Sequence, residues 1–408
     1  MHSASGHIGS RRSRSRRVDV AVVGGGVVGA ACALALARLE LDVVLVEAAE
    51  PSAWSAASPD LRVYAFAPDN AALLDTLGVW PQVRAARVQP YRHMRVWDAA
   101  GGGELHFDAD ALGRRELGWI VEHGLLVDRL WAALPQAGVD VRAPLRVEGL
   151  EQDGEGAENA GVTLRFDDGS RLEARLAIAA DGADSMLRKL AGAEVAAHDY
   201  AQRGVVAFVE TDLPHEDTAW QRFLPGGPLA FLPFVGGQSS IVWTLPQGQA
   251  AEVLAFDDAA FSQALTRAFD ARLGQVRPAS RRVAFPLRRQ LVDRYVAGRV
   301  LVIGDAAHVV HPLAGQGVNL GLRDVAGLRD AVAAALARNA DWSSPSRLAR
   351  WARTRKSENA VAAWTFDGIN RVFSSDGMHR TLLRGQLLGL AGKLPPVTAA
   401  LWRRAARL

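Results

Sequence analysis

VDVAVVGGGVVGAACALALARLELDVVLVE, Val18 to Glu47, is the stretch whose reading decides the fold. Val20, Ala21, Val22 and Val23 form an unbroken apolar run, the pattern of a parallel strand covered on both faces. Gly24, Gly26 and Gly29 follow at G-x-G-x-x-G spacing. The first glycine of such a set permits a tight turn, the second lets a pyrophosphate approach the backbone, and the third lets the helix pack closely on the strand. The helix start offers free N–H groups and a partial positive charge to that phosphate. A second apolar run ends at Glu47, eighteen positions after Gly29, where a carboxylate can accept hydrogen bonds from a ribose 2′-OH. Glycine spacing alone is weak evidence. Strand, glycines, helix, strand and terminal acid in this order specify a Rossmann-type dinucleotide site. Cys32 falls one turn into the helix and reads as a small buried hydrophobe.

The whole chain sets the bounds around this unit. Its 408 residues hold about two or three domains, and 49% apolar content suffices for large cores. No window reaches ~18 uninterrupted apolar residues, so no transmembrane helix is expected. A formal charge of +3 and the lack of any zinc-finger or RNP-like pattern argue against a nucleic-acid partner. Cys32 is the only cysteine, which excludes intrachain disulfides and cysteine-rich metal sites and fits a reducing compartment; no metal is expected. Basic residues gather at the ends. RRSRSRR (Arg11–Arg17) has no apolar signal-peptide core after it and reads as part of a disordered tail, residues 1–17, with attraction to anionic lipid as the sharper reading. No acid follows Asp376, and the leucine- and arginine-rich end reads either as an amphipathic helix on a membrane or as a helix packed on the protein.

Three later stretches narrow the dinucleotide. DLRVYAFAPDNAALLDTLGVW (Asp60–Trp80) puts Arg62 before a helical run ending at Gly78. LEARLAIAADGADSMLRKLAG (Leu172–Gly192) is a strand closed by Asp181 and Gly182. GRVLVIGDAAHVVHPLAGQGVNLGLRD (Gly298–Asp324) is a strand closed by Gly304 and Asp305, running into a helix. Together they resemble the flavin-dependent aromatic hydroxylases of the p-hydroxybenzoate hydroxylase type. His311 to Asp324 is similar, at every defined position, to the signature of the ubiquinone-biosynthesis hydroxylases (the UbiH/UbiF/VisC family). The resemblance runs from about Val18 into the C-terminal region.

It implies an α/β protein: a Rossmann-type FAD-binding domain, an inserted antiparallel-sheet substrate domain and a C-terminal helical region. The expected boundaries are 18–87, 121–194 and 288–340 for the first, 88–120 and 195–287 for the second, and 341–408 for the third. It implies non-covalent FAD, with NADPH or NADH as a transient electron donor, since no second G-x-G-x-x-G stands between strand and helix. Oxygen from O₂ would reach an electron-rich phenol through a flavin C4a-hydroperoxide, so no protein nucleophile is needed. Asp181, Gly304 and Asp305, Arg62, and the turn Gly315, Gln316, Gly317 would meet the cofactor, whose pyrimidine edge could take backbone N–H groups near a helix start. Asn319 either caps that helix or touches the flavin. His308 and His311, beside Pro312, are acid–base candidates or loop-holding histidines. One departure stands out. In WIVEHGLLVDRL, Gly124 occupies a place where the family often has a long side chain reaching FAD.

Between the nucleotide pieces, VVAFVET and LAFLPFVGGQSSIVWTLP read as antiparallel strands with a Gly-Gly turn, followed by a helix pair. Phe223, Phe231, Pro233, Phe234 and Trp243 are candidates to line the substrate, although strand alternation lets only half face it. The resemblance implies a polyprenyl phenol or quinol intermediate of ubiquinone biosynthesis as substrate. It also implies a cytoplasmic protein, peripheral at the inner membrane or beside other quinone-biosynthesis enzymes. The alternatives are a hydroxylase of a soluble aromatic or secondary metabolite, and a non-catalytic flavoprotein subunit. A flavin halogenase is disfavoured, since no W-x-W occurs among the eleven tryptophans.

Overall fold

A computed structural model describes residues 17–99, 103–153, 160–310 and 317–373. The expected basic tail up to residue 16 and the leucine- and arginine-rich C-terminus lie outside these residues.

The strand Val18–Val23 sits within an eight-stranded sheet. It pairs in parallel with Val43–Val46 on one side and Arg171–Ala179 on the other. Asp140–Arg142 and Val300–Val302 extend the two flanks, also in parallel. Strand order therefore reverses at Val18–Val23, and a crevice opens beyond its carboxyl end. The helix Val27–Ala37 lies over the sheet and against the helices His123–Ala133 and Gly317–Leu336. It is apolar on all sides because it has no wet side. A Cβ at Gly321 would stand 2.6 Å from Val28 Cγ2 and 3.2 Å from Gly304 Cα. That glycine lets two helices and the Gly304 turn meet.

A nine-stranded sheet forms the second unit. Its strands pair antiparallel, as expected, with one parallel pair where His93–Asp98 runs beside Thr218–Leu224. The turn between Gly227–Pro233 and Ser239–Pro246 carries Gly236 and Gly237 at φ 72° and 77°. The helices Gln247–Ala255 and Asp258–Ala268 cover one face. Asp257 caps the second by accepting the Ala260 N–H at 2.7 Å.

A three-stranded sheet of Val63–Phe66, Gly118–Glu122 and Gln89–Tyr91 lies between the two units. The segment 88–120 is thus shared: Gln89–Tyr91 joins this small sheet, whereas His93–Asp98 and Glu104–Asp108 join the large one. Val283–Val292 and His308–Val309 likewise carry the large sheet past residue 287. The C-terminal part of the described chain is the helix Pro345–Phe373, packed on Gly317–Leu336. Among the described residues no helix is long and apolar enough to cross a membrane.

Candidate functional site

The crevice at the end of Val18–Val23 is a cleft of about 560 Å³. Gly24, at φ +107°, makes the turn into it, and a Cβ there would stand 2.4 Å from the Ala180 carbonyl oxygen. A Cβ at Gly29 would stand 1.9 Å from the Gly24 carbonyl oxygen. Gly26 has nothing within 4 Å of where its Cβ would be, so it opens onto the cleft. No side chain caps the helix that starts after it. Its first N–H groups thus remain available to an anion.

Glu47 closes this turn from the neighbouring strand. Its carboxylate accepts the N–H of Gly25 and, at 2.7 Å, that of Ala48. Gly25 is a constraint the spacing rule does not show. A Cβ there would come within 2.6 Å of Trp131 Cζ2, and the Trp131 indole N–H donates to the Gly25 carbonyl at 2.7 Å.

On the far wall, Asp181 lines the cleft, but its oxygens are engaged. They accept the Ser185 hydroxyl and the N–H groups of Met186 and Leu187, at 2.8 and 3.1 Å. This aspartate holds the turn. Arg188, buried, links that turn to the next by donating from Nη1 to the carbonyls of Ala183 and Ala306, each at 2.9 Å. Asp305, one residue before Ala306, lines the cleft, and its carboxylate accepts no hydrogen bond from the described residues. Gly304 before it has φ +59°.

Arg62, Tyr64 and His123 form the third wall. The Arg62 guanidinium lies 5.5 Å from the Tyr64 ring centroid, and the Tyr64 hydroxyl meets His123 Nδ1 at 2.9 Å. Burial, reinforced by the Arg62 charge, lowers the His123 pKa to about 4, so the imidazole is neutral near pH 7 and can accept the tyrosine proton. Burial raises the Tyr64 pKa, so this hydroxyl remains a donor. The Gly124 N–H donates to Asp60 Oδ2 at 3.0 Å. An added Cβ at Gly124 would stand 3.3 Å from that oxygen, so Asp60 occupies the ground a longer residue would cross. His123 instead reaches the cleft. Neither Tyr64 nor His123 was singled out by sequence reading; the departure at Gly124 was the signal that could have found His123.

Asn319 has another task. Its Oδ1 accepts the Ala67 N–H at 3.0 Å and the Asn70 amide at 2.8 Å, and its Nδ2 donates to the Ala65 carbonyl at 2.8 Å. It is buried and its side chain does not cap its own helix, contrary to that expectation. It fastens that helix to the end of the strand Val63–Phe66, which carries Tyr64 and follows Arg62. His308 is also buried, with Nε2 2.6 Å from Asp324 Oδ2. That geometry is a loop-holding one. Gly317 begins its helix with open space beside it; His311, Pro312, Gly315 and Gln316 lie outside the described residues. Cys32 is buried and its thiol is pushed up to about 12 by burial, with Asp324 adding to the shift.

Strand alternation sorts the expected substrate wall. Phe231 stacks on Phe269 at 3.8 Å, and Trp243 joins the same core, both on the face covered by the helix pair. Pro233, two residues beyond Phe231 on one strand, shares its face. These three are a correction: they support the sheet from behind. Phe223 lies on the opposite face with Val96. Phe234 packs 4.5 Å from Phe208 in the seam with the three-stranded sheet. Gln221, alternate to Trp220, brings a polar group to the face of Phe223.

The comparisons agree with this geometry. The FAD binding domain family matches residues 17–362. The ubiquinone hydroxylase UbiL of Rhodospirillum rubrum is 36% identical over 394 residues, covering 96% of this chain and 90% of that protein. The 3-demethoxyubiquinol 3-hydroxylase of Escherichia coli is 37% identical over 360 residues, covering 88% of this chain and 90% of that one. The crystal structure of p-nitrophenol 4-monooxygenase PnpA from Pseudomonas putida shares the fold with a TM-score of 0.75, covering 95% of this chain and 96% of that one at 22% identity. The chain belongs to the ubiquinone-biosynthesis hydroxylases, a family of FAD-dependent monooxygenases of the p-hydroxybenzoate hydroxylase type.

Proposed function

We propose that this monooxygenase hydroxylates the ring of a polyprenyl phenol or quinol intermediate of ubiquinone biosynthesis, using O₂ and electrons from NADPH or NADH. The observation that carries the reading is identity near 36% along 96% of the chain with a ubiquinone hydroxylase. The cleft supports it, since its open glycine turn and uncapped helix suit a dinucleotide pyrophosphate.

In this reading the turn Gly24–Gly29 and the start of Val27–Ala37 hold the pyrophosphate, and Glu47 holds the adenosine ribose. Asp305 and Arg62 face the ribityl and flavin side, with Gly304 allowing the close turn. Gly317 would follow at the start of its helix, while Asp181 and Asn319 also hold the turns around the site. When bound, FAD supplies the activation of O₂ and the transfer of one oxygen atom. The protein binds, orients and dries. Tyr64 and His123 keep a neutral, hydrogen-bonded wall beside Arg62, whose cation can meet an anionic group of the cofactor. In this reading the face of the large sheet bearing Phe223 and Gln221 would form the wall behind a prenylated ring. A substrate of this kind resides in membranes, so we place the protein at the inner-membrane surface, near the enzymes that make and consume the intermediate.

The test is a mass profile of quinone lipids in a strain lacking the gene, with and without its restoration. A prenylated intermediate should accumulate and then disappear. An unchanged profile, with purified protein that turns over soluble phenols, would replace the lipid substrate by a soluble aromatic. Absence of any substrate-dependent NAD(P)H oxidation, again with an unchanged profile, would leave a non-catalytic subunit.

A further inference from the structure

Beneath the cofactor cleft one carboxylate collects four donors. Asp324 Oδ2 accepts the Gly304 N–H at 3.1 Å and faces His308 Nε2 at 2.6 Å. These are the two ends of the five-residue turn that carries Asp305 into the cleft. Asp324 Oδ1 accepts Arg355 Nε at 2.8 Å and Asn359 Nδ2 at 2.9 Å, both from the C-terminal helix Pro345–Phe373. Asn359 Nδ2 also donates to the Tyr295 hydroxyl at 3.1 Å, and the Tyr295 ring lies over His308. Arg355 is completed by Glu358 and by Asn359 Oδ1. Asp324, His308, Arg355 and Asn359 are each at most 3% exposed.

A buried carboxylate is costly unless paired and hydrogen-bonded. Burial pushes its pKa up, yet the His308 and Arg355 partners prevail and hold Asp324 at about 2. The charge therefore persists, and with it the requirement for all four donors. Only Oδ2 serves the turn. Arg355 and Asn359 fix Oδ1 and thereby set where Oδ2 points. None of Asp324, Arg355 and Asn359 lines the cleft.

We propose that Asp324, Arg355 and Asn359 are positioning residues of the cofactor site, through which the seating of the C-terminal helix sets the Gly304–His308 turn and the placement of Asp305 against FAD. The idea rests on the FAD assignment and assigns the C-terminal helix a part in cofactor retention rather than in packing alone.

The experiment is FAD titration of the apoprotein by flavin fluorescence, with the visible spectrum of the bound flavin and the urea stability of the apoprotein measured alongside. Arg355→Gln and Asn359→Leu, far along another helix from the cleft, should each raise the FAD Kd about tenfold, because a hydrogen bond to a buried charge is lost. They should also shift the bound-flavin spectrum. Arg355→Lys, which keeps the charge, should recover part of the affinity. Combined with Asp324→Asn, Arg355→Gln should add little, since members of one network are not additive. An FAD Kd and spectrum unchanged in Arg355→Gln, with only the apoprotein less stable, would overturn the proposal in favour of plain packing. A double variant whose Kd rises by the product of the single effects would overturn the linkage. Should Asp324→Asn fail to fold, the paired variants Arg355→Gln and Asn359→Leu carry the same comparison. Failure of the unaltered protein to take up FAD would count against the cofactor assignment and leave these variants without an effect on FAD, which sinks the proposal with it.

Discussion

At the scale of single residues, the site is made by what cannot be added as much as by what is present. A methyl group at Gly29 would sit 1.9 Å from the Gly24 carbonyl oxygen, a contact that only backbone movement can relieve. Gly29→Ala is expected to yield protein without flavin absorbance near 450 nm, even where far-UV dichroism shows a folded chain; full yellow loading would contradict the turn geometry. His123 gives the pH prediction. Its ordinary pKa of 6.5 falls to about 4 in the fold. Between those values the unfolded chain takes up a proton that the folded protein refuses. This contribution is present above pH 6.5 and is lost as pH falls through that window toward 4. His123→Gln should therefore flatten the apoprotein's urea-stability profile between pH 6.5 and 4 by about 2 kcal/mol. Parallel profiles for the two proteins would show that the imidazole does not titrate as described.

At the scale of elements, the same side-chain type packs against different partners on the two faces of one sheet. Phe231 lies wholly within the core against Phe269, so Phe231→Ala should cost about 3–5 kcal/mol, read from urea denaturation. Phe223→Ala, on the other face, should cost less and instead raise the fraction of NAD(P)H oxidation that ends in hydrogen peroxide rather than product. Equal stability losses and unchanged coupling would remove Phe223 from the substrate wall. Asn319 shows how an element is fastened. Three hydrogen bonds join its side chain to the segment Ala65–Asn70. Asn319→Ala leaves those partners buried and should destabilise by about 2–4 kcal/mol. The FAD Kd should change by less than about threefold, since the side chain's bonds go to Ala65, Ala67 and Asn70, none of which lines the cleft. A large loss of affinity without loss of stability would restore the flavin-contact reading.

At the scale of the whole molecule, the charges that bear on membrane attachment are concentrated at the chain's two ends, while the formal total is only +3. Each basic residue near an anionic surface contributes about 1 kcal/mol. The full-length protein should therefore float with vesicles containing anionic phospholipid and stay behind with neutral ones at low salt. Identical behaviour with both vesicles would argue against an electrostatic membrane surface and favour delivery of the substrate by a partner.

The sequence by itself determined the cofactor unit, because its signals are local. An apolar strand, three glycines at fixed spacing and an acid at the next strand end are adjacent in the chain, and the physics of a tight turn at a helix start needs nothing more distant. Family membership was legible for the same reason in the continuous run His311–Asp324. Tertiary structure alone decided the rest. Only the fold shows that Asp181 also caps the turn before Met186 and that Asn319 also ties two elements together, because each side chain bonds whichever groups the fold brings near. Strand alternation allowed half of the five aromatic and proline candidates to face a ligand, but only the helix pair packed behind Phe231, Pro233 and Trp243 fixed which. The Asp324 cluster joins residues from 304 to 359, and nothing in their spacing reveals that one buried carboxylate must gather all its donors in one place.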